Sequence, residues 1–372
     1  MSCVANSKPN PINEYYIAYF DILGYKEFFE TQPEKVADFL QMIHDVIQRT
    51  NGHIRIANQS VIASVYGNIN VKIRVFSDNF LLCLETSDNT NEPIRILAFL
   101  KIIADIQRGF VTEYGLFVRG GVTKGNLSFN DDYVFGSGLI EAVSMEEKTA
   151  LYPRIIVNRA LLETIIVNHY YSQEEVERAI EIETRRQNGE AIKEDEQAFY
   201  SESFFKVRMY QMIVYFAQTL LISWPDGLLF ISYLHQMNAL DTLGNEQVEA
   251  FANILKHISP SDFAQFFQST VYSNGALKER ADADIDNILK KHKSIVVEKL
   301  KRYGSNSDIA INNAKEAEIR EKILRKYIWT MAYHNYLCDL YTKPGHKILT
   351  ECNCDARFLK MTIKVLEDEI KP

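Results

Sequence analysis

The stretch YYIAYFDILGYKEFF, residues 15–29, decides how the rest of the chain is read, because a run of apolar β-formers is broken in it by one carboxylate, Asp21. Tyr16-Ile17-Ala18-Tyr19-Phe20 predicts a buried central strand that ends at the turn Leu23-Gly24. Burying an unpaired charge at the end of such a strand costs several kcal/mol, so Asp21 is expected to have a cation or strong donors beside it. A second stretch, VKIRVFSDNFLLCLE at 71–85, repeats the pattern: apolar strand, Ser77-Asp78-Asn79, apolar strand, with Asp78 in a tight turn. Two acids at the ends of adjacent strands offer hard oxygen ligands to a divalent metal. Either acid alone reads equally well as a turn residue that bonds its own backbone; the pair is more specific.

Two glycine-rich signals follow, Arg119-Gly120-Gly121-Val122-Thr123-Lys124-Gly125 and Phe135-Gly136-Ser137-Gly138. The order FDILG, FSD, VRGGVTKG and FGSGLIEAVSMEEKTALYPRIIV resembles the catalytic domain of class III nucleotidyl cyclases, and among them the bacterial pyrimidine cyclases of Pycsar antiphage systems. The resemblance covers residues 15–158, with a looser echo in Lys326-Tyr327-Ile328-Trp329 and Tyr333-His334-Asn335.

That resemblance implies an α/β fold of the α+β kind, a βαββαβ sheet covered by helices, with a mainly helical C-terminal extension. It implies a uridylate or cytidylate cyclase that turns UTP or CTP into cyclic UMP or cyclic CMP and diphosphate, the product activating a separate effector during phage infection. Asp21 and Asp78 match the family's two metal aspartates, with the backbone carbonyl of Ile22 as a further ligand. Two divalent ions per site, Mg²⁺ or Mn²⁺, would lower the pKa of the ribose 3′-hydroxyl and neutralise the triphosphate. Phe20 and Gly24 go with the substrate. Gly24 reads equally as a simple turn, and the amides of the helix after it point partial positive charge at phosphates. The family works as a homodimer, the acids of one subunit facing base-reading residues of the other.

Base choice departs from the adenylate and guanylate cyclases. Their base-reading lysine stands four positions before the second metal aspartate, which is Arg74 here, and their second base reader stands three before the glycine matching Gly136, which is Tyr133. An Arg fork and a phenol suit a pyrimidine carbonyl and leave less room for a purine; Arg74 reads alternatively as a solvated strand residue and Tyr133 as a core aromatic. The asparagine and arginine that stabilise the transition state in many class III enzymes would fall at Ile140 and Ser144, and neither side chain can do that. Arg119, Lys124 and Arg154 are the replacement cations to consider. Lys124 reads otherwise as a hairpin-tip charge, and Arg119 and Arg154 as structural ion pairs. Two further readings stand beside this one: an adenylate or guanylate cyclase, and a catalytically silent cyclase-like module that binds nucleotide.

With 372 residues, 47% of them apolar, there is ample material for a core. A net charge of -8 argues against a general nucleic-acid coat. No N-terminal segment reads as a secretory signal and no run of about 18 uncharged apolar residues suggests a membrane span, so a cytoplasmic protein away from membranes is expected. Five scattered cysteines do not make a disulfide framework; Cys83 reads as core, and Cys352-Asn353-Cys354 lacks the partners of a zinc site.

The chain divides into an arm at 1–13, a cyclase domain at 14–171, a charged linker or helix at 172–202 and a mainly helical region at 203–372. Within it, 26–50 is helical in two pieces broken at Gln32-Pro33, with Val36, Phe39, Leu40, Ile43 and Ile47 on one face. Short β-like runs are expected at 60–66, a helix at 91–110, and strands at 115–123 and 127–129 joined by a turn at Lys124-Gly125-Asn126. A helix at 138–149, a strand at 154–157 and a helix at 160–167 follow. β-like runs at 204–215 and 228–234 join through Trp224-Pro225-Asp226-Gly227, and long helices are expected at 281–303 and 314–341, with His334 as a core or dimer residue.

Overall fold

The central strand is where the apolar run of the opening stretch places it. The computed structural model describes residues 11–26, 30, 33–35, 37–41, 43–48, 69–86, 92–130, 132–161, 173–200, 203, 220–234, 275–304 and 314–348. Strand β1 (Asn13–Ile22) lies between two antiparallel neighbours, β3 (Asn79–Glu85) and β4 (Val118–Phe129). Beyond β3, β2 (Val71–Phe76) forms one edge; beyond β4, the parallel β6 (Ile155–Val157) is followed by β8 (Leu229–Ile231) and β7 (Leu221–Ser223). A short β5 (Val134–Phe135) pairs with β4, which makes eight strands in a mixed sheet. Helix α1 (Glu92–Tyr114) runs from β3 to β4. With the helical residues 37–41 and 43–48 between β1 and β2, the first four strands give the βαββαβ order expected, arranged β2-β3-β1-β4.

Both faces of β1 are covered. Tyr16, Ala18, Phe20 and Ile22 join Phe80, Ile96, Phe99, Leu100 and Ile103 in the largest apolar cluster, where Phe20 stacks on Phe80 at 5.4 Å. Tyr15 and Ile17 face the other way, with Leu81, Cys83 and Leu127, beneath Ala142 of α2 (Ser137–Ser144). The α2 backbone widens into a π turn over Met145–Thr149. In the preceding helical segment, Phe39, Ile43 and Val46 form the inward face. Leu40, expected among them, is 59% exposed, because it stands about 100° around the helix from Phe39.

The turn expected at Lys124-Gly125-Asn126 is absent: β4 runs straight through it. Its ladder with β1 is unbroken from Ile22↔Val118 to Asn13↔Leu127, so a turn there would forfeit that pairing. The glycines serve packing instead. A Cβ on Gly121 would stand 2.5 Å from Met145 Cβ, and one on Gly125 2.7 Å from Gly138 Cα, so α2 lies directly on the β4 backbone. The hairpin around Asp78 is as expected, with Ser77 at φ 61° in the first turn position, as primed hairpin turns require.

The charged stretch after residue 172 forms α3 (Gln173–Gln187), acids in its first turn and arginines in its last, which suits the helix dipole. The described residues of the C-terminal part are mainly helical. α4 (Gly275–Gly304) and α5 (Ala314–Leu340) pack on a second cluster that includes Phe117, Phe230, Leu289, Val296, Trp329 and Tyr333. The strand leading into the Trp224 turn is β7; the expected run at 204–215, the β-like 60–66, most of 160–167 and Cys352 and Cys354 lie outside the described residues. His334 is buried in α5, its Nδ1 3.0 Å from His292 Nδ1 and its Nε2 2.9 Å from the His346 carbonyl, and burial pulls its pKa down to about 4. Cys83 is wholly buried. Among the described residues, no helix is long and apolar enough to cross a membrane.

Candidate active site

Asp21 is next to last in β1, opposite Asn79 on one side and Arg119 on the other. Arg119 is the cation its burial calls for. Nε of Arg119 donates to Asp21 Oδ1 at 3.1 Å, and Nη2 lies 2.6 Å from Glu146 Oε1, in ionic contact. The Ile22 amide donates to the Asp78 carbonyl at 3.0 Å, which clips the β2–β3 turn to the end of β1. Leu23 N bonds Phe117 O at 2.8 Å, so the backbone that carries the Ile22 carbonyl is pinned on both sides. Around Asp78, Asn79 Nδ2 donates to Oδ1 at 3.2 Å, and the Tyr19 hydroxyl donates to Asn79 Oδ1 at 2.9 Å.

The electrostatics agree with this geometry. Burial raises the Asp21 pKa, the Arg119 guanidinium pulls it back, and the charge of Asp78 adds to the rise. Glu146 is pushed up to about 7 by burial and by the charge of Asp21. Tyr19 is raised by burial and by Glu146, Asp21 and Asp78. Three acids and one arginine therefore share this corner, with Lys326 of α5 as a further cation whose charge reaches Asp21. Glu146 and Lys326 were not among the site residues expected from the sequence. Glu146 enters through the π turn, a widening found often at functional sites and without a periodic signature; Lys326 comes from a helix about 200 residues away in sequence.

Asp21, Asp78 and the Ile22 carbonyl offer only oxygen, the ligand class of a hard divalent ion, and one Asp21 oxygen is held by Arg119. Among the described residues, no group of three or more His, Cys, Asp or Glu side chains comes together as a metal site.

The other expected residues are placed as follows. Phe20, expected at the substrate, is wholly buried on the opposite face, because successive strand side chains alternate. Gly24 has φ +83° and open space where a side chain would stand, so it turns the chain. Lys124 is five residues from Arg119, roughly 16 Å along β4 and on the other face; it pairs with Glu14 at 2.7 Å. Arg154 is 1% exposed, ion-paired to Asp226, its guanidinium 5.3 to 5.7 Å from the rings of Trp329, Tyr152 and Phe230. It fastens β6 to the Trp224 turn. Arg74 Nη2 donates to the Asn130 carbonyl at 2.9 Å, and Asn130 Oδ1 accepts from Tyr133 N at 2.8 Å. Asn130 thus links the Arg74 side chain to the Tyr133 backbone, and the Arg74 guanidinium lies over the Phe129 ring at 5.5 Å. On α2, Ile140 is 69% exposed.

No protein-family model and no curated protein sequence matches the chain. Among solved structures, the adenylyl cyclase CyaB from P. aeruginosa is similar at a TM-score of 0.31 and 12% identity, over 43% of this chain and 83% of that one. A bacterial light-regulated adenylyl cyclase is similar at 0.25 and 14%, over 41% of this chain and 45% of that one. At such scores neither fixes the role of any residue here.

Proposed function

We propose that the chain is a divalent-metal-dependent nucleotidyl cyclase that converts UTP or CTP into the 3′,5′-cyclic monophosphate and diphosphate. The observation that carries the reading is the corner where Asp21 and Asp78 are held together by the Ile22–Asp78 backbone bond and faced by Arg119. In the reaction the ribose 3′-oxygen bonds to the α-phosphorus, the bond from that phosphorus to the bridging oxygen of the β-phosphate breaks, diphosphate leaves and the hydroxyl proton passes to solvent. Asp21, Asp78 and the Ile22 carbonyl would hold Mg²⁺ or Mn²⁺, which when bound would lower the hydroxyl pKa and neutralise charge on the triphosphate. Arg119 keeps Asp21 ionised and oriented for that task.

Arg74 and Tyr133 would read the base. Arg74 and Tyr133 are tied to each other through Asn130 while Arg119 is tied to Asp21 and Glu146, which supports a homodimer in which one subunit's acids face the other's Arg74 and Tyr133. An arginine fork and a phenol favour a pyrimidine carbonyl, and the cyclic product would signal to a separate effector in antiphage defence. The test is incubation of the protein with each of the four ribonucleoside triphosphates and Mn²⁺, with products resolved by mass. A cyclic pyrimidine monophosphate from the wild type, lost in Asp21→Ala and Asp78→Ala, is the expected result. A cyclic purine product would move the reading to an adenylate or guanylate cyclase; no cyclic product, with nucleotide bound, would leave a silent nucleotide-binding module.

A further inference from the structure

The corner around Asp21 has more negative than positive groups within its own domain, and its remaining cation is carried in from the C-terminal half. Arg119 is already shared between Asp21 and Glu146. Lys124 and Arg154 are bound elsewhere, to Glu14 and Asp226. Helix α2 presents Ile140 and Ser144, which carry no charge.

Lys326 fills that gap by position. The residues after it on α5 dock on the segments that hold the site: the Tyr327 ring meets Phe117 edge-on at 5.6 Å, just before β4 and Arg119, and Trp329 stacks on Tyr152 at 5.7 Å, just after the π turn that carries Glu146. Leu23, which follows the Asp21 end of β1, packs against the same apolar cluster. Lys326 itself is half-buried, and the charges facing it are those of Asp21, Glu146 and Arg119. Among the described residues, no carboxylate lies within ion-pair distance of its ammonium. Such an amine, desolvated and unclaimed beside three site residues, is held for a ligand anion, and a lysine ammonium binds phosphate as a compact point charge.

We propose that Lys326 is a phosphate-contacting cation of this site, carried into it by α5, and that it meets the phosphate chain of the nucleotide as diphosphate leaves. The proposal rests on the nucleotide-binding part of the function above. The ammonium keeps its protons throughout; its contribution is charge, placed in advance where negative charge develops.

The test uses the full chain with Lys326→Met and Lys326→Arg. Two readouts are taken beside a melting curve: cyclic product by mass, and calorimetric binding of 3′-deoxyuridine and 3′-deoxycytidine triphosphates, which lack the nucleophile, against the corresponding 3′-deoxynucleosides. For Lys326→Met, turnover falls about a hundredfold, and triphosphate affinity falls about tenfold while nucleoside affinity and melting hold. Lys326→Arg recovers part of the loss. If the Met variant melts early, Lys326→Gln takes its place. Wild-type turnover and triphosphate affinity in a folded Met or Gln variant overturn the proposal, as does an equal loss of nucleoside and triphosphate binding. If the wild type forms no cyclic product yet binds triphosphate through Lys326, the cyclase reading falls and the phosphate contact stands. If it binds no triphosphate, both fall.

Discussion

On one face of β1, Tyr16, Ala18, Phe20 and Ile22 lie in an apolar core under α1; on the other, Tyr19 and Asp21 meet Asn79, Arg119 and Glu146 at the lip of α2. The same strand builds both, and the residues that differ most in duty are neighbours in sequence. Phe20 is wholly buried and stacked, Asp21 ion-paired. The period of two in a strand separates stability from chemistry without lengthening the chain.

The sharpest way to break the comparison is Asp21→Asn, which keeps the shape and removes the charge. Cyclic product should fall about a thousandfold, while the melting temperature stays or rises, because a buried carboxylate is gone. Phe20→Ala, one residue away, should do the reverse, at a cost of about 3–5 kcal/mol in denaturant unfolding with turnover per folded molecule kept. Equal activity losses from both would erase the division of faces. Gly125→Val tests how closely α2 must sit: its side chain would meet Gly138 Cα, 2.7 Å from the added Cβ. An unfolding cost of about 1–3 kcal/mol is expected, with lower turnover as Glu146 is carried outward.

The smallest effect is one of pH. Glu146 is raised from 4.5 to about 7, so the folded state binds its proton more tightly than the unfolded one. Its contribution to stability is present below 4.5 and lost as pH rises through about 7. Melting curves of Glu146→Gln against wild type should therefore diverge as pH rises across that window, the variant losing less; parallel curves would remove Glu146 from the buried side of the site.

Much of the frame was legible in the sequence. The apolar runs flanking Asp21 and Asp78 gave β1, β2 and β3 nearly to the residue, since central strands leave strong patterns. The long C-terminal helices were legible by periodicity. The turn at Lys124-Gly125-Asn126 was misread because glycine marks both a bend and a close approach, and only the partner backbone, Gly138, distinguishes them. Leu40 and Phe39 were grouped on one face because neighbouring apolar residues blur a helical stripe. At the candidate site, Asp21 and Asp78 stand out in the sequence because each interrupts an apolar run. Glu146 and Lys326 did not, since one depends on a π turn and the other on the docking of a distant helix.

Strand β6 takes its outer neighbour from far along the chain: Ile156 pairs with Phe230. During synthesis, everything through Val157 leaves the ribosome before the strand that covers it exists. Until β8 arrives, the backbone of a fully apolar segment, Ile155–Val157, presents unpaired amides and carbonyls to any other nascent chain. The sheet is thus closed late, by non-local pairing that slows folding, and a translational pause before residue 229 would lengthen the interval in which this edge recruits a stranger instead of its own partner.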